Sequence, residues 1–240
     1  MADSKSVVQP LKKGDFILAD LIGRVKETNN IFDVTLEDVA KKENLFSEEA
    51  IYKPRLIIIG EGWVVRGLDE ALEGLTIGEM KKIEVNPEKG FGERDPSAIK
   101  VLSIREFRRQ SVKPHPGMRV QIGARMGTVV NAGGGRVRVD FNPPLAGKTL
   151  VYEITVQKRL STAIDKIKAL IERRISDVPI EDFKVSVKGK KVTIDVPKDA
   201  MFLEGIQFVK RGIAKDIEKF LTTIETIAYV EAFRKEDLSS

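Results

Sequence analysis

Apolar and polar residues alternate along much of the first 160 positions of the chain, with a period of two. This period is typical of strands in antiparallel sheets, which turn one face to the core and the other to solvent. The longer alternating stretches predict strands at 15–26, 31–35, 79–87 and 145–160. The run YKPRLIIIG (52–60) predicts one more strand, so we expect this part of the chain to form an antiparallel sheet.

A short helix is predicted at residues 67–74, inside the segment GEGWVVRGLDEALEGLTIGE (60–79). Leu68 and Leu72 fall on one face of this helix, as expected for a helix that covers a core. The apolar cluster Trp63-Val64-Val65 before the helix is explained by ordinary core packing or by the floor of a pocket. Composition and spacing do not decide between these two interpretations.

A second short helix is predicted after the strand at 31–35. Thr35 and Asp38 have the spacing of a capping box, in which a side chain at the helix start accepts a hydrogen bond from a backbone N–H three residues later. Leu36 and Ala40 would then lie on the buried face of this helix.

The pattern changes twice further along the chain. Residues 96–143 contain short alternating stretches, with the glycine tract AGGG (132–135) predicted as a hairpin tip. From residue 161 the apolar spacing becomes three and four, which predicts two long helices around a hairpin at 183–197, followed by a strand at 225–233. The C-terminal third is therefore predicted to be an α-β-β-α-β unit with enough apolar positions for its own core.

Composition indicates a folded protein without disulfides, since 42% of residues are hydrophobic, 32% are charged and none is cysteine. The basic excess lies in residues 93–144, which hold ten Lys or Arg against four Asp or Glu. Such a segment can attract acidic chains or nucleic acid. We prefer a solvated surface as the explanation, because aromatic residues are not interleaved with these charges.

Metal, phosphate and hydrolytic sites are not indicated. The single histidine, His115, stands between two prolines and cannot hold a transition metal without several carboxylates around it. AGKT (146–149) imitates the end of a phosphate-binding loop, but Asn142 stands where that pattern needs glycine, and a strand rather than a helix follows. We therefore expect no metal and no cofactor.

The N-terminal stretch MADSKSVVQPLKKGD (1–15) lacks the apolar core of a secretion signal. The longest strongly apolar run, LIII (56–59), is far too short to cross a bilayer. We therefore expect a cytoplasmic protein without a membrane partner.

Four segments together resemble FKBP-type peptidyl-prolyl cis-trans isomerases, specifically the long archaeal type that is similar to SlyD. They are IFDVT (31–35), GEGWVVRGLDEALEGLTIGE (60–79), EVNPEKGFGERDP (84–96) and LAGKTLVYEITV (145–156). The resemblance implies an α+β fold in which an antiparallel sheet wraps a short helix. It also implies a small inserted β-domain that acts as a chaperone module, and an α-β-β-α-β domain at the C-terminus.

The resemblance divides the chain into three expected domains. They are an isomerase domain at 1–95 plus 144–159, an inserted β-rich chaperone domain at 96–143 and a C-terminal domain at 160–240.

The resemblance also implies the site. Phe32 and Asp33 match the family's aromatic and acidic pair and are the expected catalytic residues. The expected substrate-binding residues are Trp63, Val64, Val65, Leu68, Phe91, Leu145 and Tyr152. Asp33 is interpreted either as a polar group that orients the twisting amide or as a structural acid satisfied by backbone N–H groups or by an arginine such as Arg24.

The chain departs from the family pattern at three pocket positions. Leu68 stands where the family has the tryptophan under the proline ring, and Phe91 lacks the hydroxyl of the tyrosine found in short members. Leu21 replaces a tyrosine that usually bonds the acid. Activity is therefore expected, though at a modest level.

The main hypothesis is an isomerase that acts on unfolded or proline-containing polypeptides, with an attached chaperone domain. A second hypothesis is a chaperone alone, with a degenerate isomerase pocket. A third is a nucleic-acid or ribosome-associated factor that uses the basic insert or the C-terminal region. Nucleic acid is the less expected partner, ribosome association stays open, and the chain is expected to be a monomer or a dimer.

Overall fold

The structure is a computed structural model that describes residues 9–109 and 111–233 of the 240-residue chain. Most of the N-terminal stretch 1–15, for which no secretion signal is predicted, lies outside the described residues, and so do the last seven residues of the expected C-terminal domain. None of the helices in the described ranges combines the length and hydropathy that crossing a bilayer requires.

The fold is α+β, with mainly antiparallel sheets and with helices of different lengths. The strands are β1 (Phe16–Val25), β2 (Ile31–Val34), β3 (Arg55–Ile58), β4 (Met80–Val85), β5 (Ile99–Ser103), β6 (Arg119–Ile122), β7 (Arg125–Gly133), β8 (Arg136–Asp140), β9 (Leu150–Leu160), β10 (Lys184–Lys188), β11 (Lys191–Asp195) and β12 (Thr226–Val230). The helices are α1 (Glu37–Lys42), α2 (Arg66–Leu72), α3 (Ile104–Arg109), α4 (Ala163–Arg174), α5 (Lys198–Met201) and α6 (Ile206–Phe220). Three short 3₁₀ turns lie at Pro87–Lys89, Pro96–Ala98 and Ile180–Asp182.

The first sheet has the order β2-β1-β9-β4, and β3 pairs with β1 beside β2. β1 is long enough to take both partners on one edge, because β3 pairs with its first half and β2 with its second half. All of these pairings are antiparallel. The predicted strands are therefore confirmed, and so is the short helix after Val65, which becomes α2.

The predicted capping box at the start of α1 is wrong. The Thr35 hydroxyl does not cap the helix; it accepts a hydrogen bond from the Leu21 backbone N–H at 2.9 Å and donates one to the buried carboxylate of Asp20 at 3.0 Å. Leu36 occupies the N-cap position without a side-chain bond and is exposed rather than buried, whereas Ala40 is buried as predicted. Thr35 therefore ties β1 to the end of β2 instead of starting α1.

Residues 99–140 form a separate four-stranded sheet with the order β5-β8-β7-β6. Its small core is made of Phe107, Val120, Val129, Val137 and Val139. The glycine tract forms the β7–β8 turn as predicted, with Gly134 and Gly135 at positive φ. This sheet, here called the insert, interrupts the chain between β4 and β9.

The two chain segments that lead into and out of the insert are tied to each other. Arg94 forms an ion pair with Asp140 at 2.6 Å. Asn142 accepts a hydrogen bond from the Asp95 backbone N–H and donates one to the Asp95 carbonyl, both at 2.9 Å. The insert is therefore attached through a cross-linked pair of segments rather than through two loose linkers.

The C-terminal region from α4 onward has the predicted α-β-β-α-β order, with the additional short helix α5 before α6. β10 and β11 form the predicted hairpin, and β12 lies parallel to β11. A parallel neighbour needs a crossover connection, which α6 supplies. The side chain of Thr162 caps α4 by accepting a hydrogen bond from the Asp165 backbone N–H at 3.1 Å.

The C-terminal region has apolar positions for a core, as predicted, but this core also includes residues of the first sheet. One apolar cluster contains buried residues of α4, α6 and β11 together with Phe16, Leu56 and Ile58 of the first sheet. The alternate residues on the same strands, such as Ile17 and Ile57, belong to a second cluster that packs on α2. The first sheet is therefore covered on both faces, by α2 on one side and by the C-terminal region on the other.

Candidate active site

One cavity of about 560 Å³ lies where β1, β2 and β9 meet the segment before α2. Its lining contains all nine residues expected from the sequence, namely Phe32, Asp33, Trp63, Val64, Val65, Leu68, Phe91, Leu145 and Tyr152. Leu21, Arg55 and Gly90 complete the lining. Residues more than 100 positions apart in the chain thus meet around one opening.

Three aromatic rings form one wall of the cavity. Phe32 makes edge-to-face contacts with Tyr152, at 5.6 Å between ring centroids, and with Phe91, at 6.4 Å. Such pairs fix the relative ring orientation and stabilise the arrangement by about 0.5–1.5 kcal/mol each. Phe91 itself is 41% exposed, so it stands at the mouth of the cavity.

The Phe32 and Tyr152 rings lie directly on the backbone of Gly23 in β1. A Cβ atom placed on Gly23 would lie 2.7 Å from Cζ of Phe32 and 3.1 Å from Cε1 of Tyr152. The same glycine is paired with Asp33 in β2 and with Tyr152 in β9. Glycine is therefore required at this position for the two rings to approach the sheet so closely.

The floor of the cavity is aliphatic. Leu68 is fully buried, and Leu21 is 1% exposed. Val64 and Val65 are partly buried and pack against the core that surrounds α2. A floor of this kind offers apolar contact and few hydrogen-bonding groups.

Asp69 holds the loop that carries the floor residues. Its buried carboxylate accepts hydrogen bonds from the backbone N–H groups of Gly60, at 2.9 Å, and Gly62, at 3.0 Å. Both glycines have positive φ, at 81° and 66°, a conformation that other residues seldom adopt. The loop before Trp63 is therefore fixed from the first turn of α2.

Asp33 lies at the cavity with both carboxylate oxygens bound to Arg55, at 2.7 and 2.8 Å. The hydrogen bond to Asp33 raises the pKa of Arg55. The suggestion that Arg24 satisfies this acid is wrong, because Arg24 pairs with Glu43 at 3.0 Å. The cavity therefore contains a bidentate ion pair between Arg55 and Asp33 rather than an unpaired carboxylate.

The hydroxyl of Tyr152 is the other polar group of the aromatic wall. Burial raises the pKa of this tyrosine, and the negative charge of Asp33 adds to the effect. The hydroxyl is protonated at neutral pH, as in any tyrosine, and is able to donate a hydrogen bond.

Trp63 connects the cavity with the C-terminal region. It packs against both apolar clusters. The Phe220 ring of α6 contacts it edge-on at 5.8 Å, and the Arg173 guanidinium of α4 lies 4.1 Å from its ring centroid. One edge of the cavity is thus positioned by residues that lie far along the chain.

Among residues 9–109 and 111–233, no group of three or more histidine, cysteine, aspartate or glutamate side chains is placed to hold a metal ion. Asp33, Arg55 and Tyr152 supply the charged and hydroxyl groups of the cavity lining, and the other side chains there are aliphatic or aromatic.

Known peptidyl-prolyl isomerases are similar in sequence to part of this chain. A short-type peptidyl-prolyl cis-trans isomerase of Methanocaldococcus jannaschii is 32% identical over 151 residues, which cover 63% of this chain and 95% of that protein. The FKBP-type 16 kDa peptidyl-prolyl cis-trans isomerase of Escherichia coli K12 is 33% identical over 43% of this chain and 72% of its own length. This chain belongs to the FKBP-type peptidyl-prolyl cis-trans isomerases.

The insert and the C-terminal region match family models of one long FKBP type. Residues 100–145 match the family described as FKBP26, IF domain, and residues 163–234 match FKBP26_C-terminal. The FKBP-type isomerase SlyD of Aeromonas hydrophila is 29% identical over 46% of this chain and 54% of that protein. The SlyD-like long type inferred from the sequence is therefore confirmed.

Three residues of this FKBP-type chain that shape the cavity, Gly23, Asp69 and Arg55, were not predicted from the sequence. Gly23 and Asp69 act through close approach and through backbone hydrogen bonds, neither of which leaves a periodic signal in the sequence. Arg55 begins a strand whose other residues are apolar. A charged side chain at the start of this strand was the only signal in the sequence.

Proposed function

We propose that this protein accelerates cis-trans rotation about X-Pro bonds by binding the proline in the cavity at Phe32, Val64, Val65 and Leu68. The observation that carries the proposal is the combination of an aliphatic floor, an aromatic wall and one polar edge around a single opening. The similarity to curated peptidyl-prolyl isomerases supports it. The substrates are proline-containing segments of unfolded or folding chains.

The mechanism needs neither a nucleophile nor a cofactor. The X-Pro bond resists rotation by about 18–20 kcal/mol, because twisting it removes amide resonance. Water stabilises the planar, charge-separated amide better than apolar walls do. An apolar cavity therefore disfavours the ground state relative to the twisted amide.

Burial of the proline ring holds the bond in place while it twists. Contact of the ring with Val64, Val65 and Leu68 supplies about 1.5–3 kcal/mol, by analogy with burying an aliphatic side chain. The aromatic residues Phe32 and Phe91 close the cavity on the other side.

Polar contacts orient the amide in this proposal. Asp33, held by Arg55, presents a fixed dipole at the edge of the cavity. The Tyr152 hydroxyl donates a hydrogen bond to a substrate carbonyl, which replaces the hydroxyl that Phe91 lacks. Trp63 and Leu145 line the rim that receives the residues beside the proline.

The test is refolding of a protein whose rate is limited by proline isomerisation, with catalytic amounts of the full chain. Phe91→Ala is expected to lower kcat/KM about three- to tenfold, through loss of one aromatic contact worth about 0.5–1.5 kcal/mol. Phe46→Ala is the matched control, since Phe46 has a similar exposure of 42% and does not line the cavity. Unchanged refolding rates with the full chain would refute the proposal.

We further propose that the insert binds unfolded chains as a holdase. We also propose the domain boundaries that the resemblance implies, with the isomerase domain at 1–95 plus 144–159, the inserted domain at 96–143 and the C-terminal domain at 160–240. Val101, Met126 and Val130 are large apolar residues of the insert that are 40–59% exposed. β5 and β6 are the outer strands of its sheet and offer edges to an extended partner. Phe91 and Leu145 flank the insert, so a captured segment lies close to the cavity.

A double variant, Val101→Ser with Met126→Ser, is expected to weaken suppression of aggregation while leaving the isomerisation of short peptides intact. Leu45→Ser with Ile77→Ser is the control, since those residues are also exposed but lie outside the insert. Deletion of 96–143 should abolish the suppression. Full protection by that deletion variant would refute the role of the insert.

A further inference from the structure

A second cavity of about 490 Å³ lies beside the proposed proline site and has no role in the function described above. Arg55 and Trp63 line both cavities, so the two are neighbours separated by these side chains. One wall of the second cavity comes from the start of β3, and the opposite wall comes from α4 of the C-terminal region. A single extended peptide is therefore able to enter both.

We propose that this second cavity is a subsite for a carboxylate side chain, Asp or Glu, placed two or three residues from the substrate proline. This inference rests on the proposed isomerase function. It assigns to the C-terminal region a direct part in substrate recognition, through the guanidinium of Arg173.

The charges around the cavity single out Arg173. Lys53 is paired with Glu172 at 2.8 Å, and Arg55 is paired with Asp33. Arg173 has no carboxylate partner among residues 9–109 and 111–233. It is the one cation in this lining that is not neutralised by an acid of the described chain.

The geometry of Arg173 suits capture of a carboxylate. Its guanidinium lies over the face of Trp63 at 4.1 Å from the ring centroid. Contact with an aromatic face holds the planar group without using its N–H donors, which lie in the plane and match the two oxygens of a carboxylate. Trp63 is itself supported by Phe220, so the arginine rests on a fixed platform.

The two cavities share Arg55 and Trp63, so a short stretch of substrate is enough to connect them. Each residue of an extended peptide advances about 3.3–3.6 Å, and passing one layer of side chains takes about two or three residues.

The test uses end-capped peptides that contain one proline and neither Trp nor Tyr. Each carries a single Glu or the matching Gln at one to four positions before or after the proline. Trp63 is the only tryptophan of the chain, so its fluorescence reports binding directly at the border of the two cavities. Isomerisation of the same peptides is measured in parallel by NMR exchange.

At one position, the Glu peptide is expected to bind with a Kd about threefold lower than that of the Gln peptide, as for an exposed ion pair. This preference for Glu should become smaller at high salt. Arg173→Gln should remove this preference. Arg211→Gln, which makes the same charge change on α6 outside both cavities, should retain it.

Equal Kd values for Glu and Gln at every position, or a preference that survives in Arg173→Gln, would overturn the inference while leaving the isomerase intact. Neither binding nor isomerisation with any peptide would instead refute the proposed function, and this inference with it.

Discussion

Replacement of Gly23 by alanine tests whether the aromatic wall requires a residue without a Cβ atom at this position. Gly23 is not in the left-handed region, so alanine is compatible with its backbone and the effect must come from the added methyl group. That methyl carbon would lie 2.7 Å from Cζ of Phe32, whereas carbon atoms in contact are normally about 3.5–4.0 Å apart. The Phe32 ring must therefore move by about 1 Å.

Two losses follow from this displacement. Overpacking of a well-packed core costs about 1–3 kcal/mol, and we expect the free energy of unfolding to fall by that amount. A misplacement of about 1 Å in a site is able to lower activity by up to about 100-fold. We therefore expect kcat/KM to fall at least tenfold in the proline-limited refolding assay.

Urea denaturation and the refolding assay together measure both effects. Phe32→Leu in the same chain removes the atoms that meet the new methyl group. The double variant should therefore be less destabilised than the sum of the two single changes, by at least about 0.5 kcal/mol. Gly133→Ala in the insert is the control, because its added methyl group meets nothing within 4 Å and its φ is ordinary.

A Gly23→Ala protein with unchanged stability and unchanged kcat/KM would refute the reasoning. So would additive costs in the double variant, since they would mean that Phe32 and the new methyl group do not collide.

Three further changes have defined outcomes. Asp69→Asn replaces an acceptor of two backbone N–H groups, so urea denaturation should show a loss of about 1–3 kcal/mol, with a poorer Kd for proline peptides. Ile58→Ala removes a fully buried side chain beneath the C-terminal region and should cost about 2–5 kcal/mol; a smaller loss would mean that this face is loosely covered. Burial raises the pKa of Tyr152, so its stabilising contribution is complete below about pH 10, the usual pKa of tyrosine, and is lost as the pH rises through the higher folded-state pKa. Burial also raises the pKa of Tyr229, so tyrosinate absorbance of Tyr152→Phe should show one late-titrating tyrosine fewer than the unchanged protein, with Tyr229 still titrating late.

The alternating pattern predicted the strands because each strand of the first sheet has one face that is mainly apolar. It also supported α2, where Leu68 and Leu72 are both fully buried. The residues that line the cavity were obtained from the resemblance rather than from the pattern. Composition alone leaves Trp63, Val64 and Val65 indistinguishable from core.

The packing of the C-terminal region against the second face of the first sheet was not predicted. Periodicity shows which face of a strand is apolar, but it does not show which part of the chain packs against it. The near-continuous apolar run in β1 was a hint, because strands buried on both faces lose their alternation. Partners such as Lys53 and Glu172, 119 positions apart, have no local signal at all.

The order of the strands has a consequence for synthesis. β9 is the neighbour of both β1 and β4, yet it is made only after the whole insert. The contacts within the insert span fewer than about 50 residues, so this part can form while the ends of the other sheet are still apart. A chain truncated near residue 149 should therefore contain a folded insert beside a first sheet that still lacks β9.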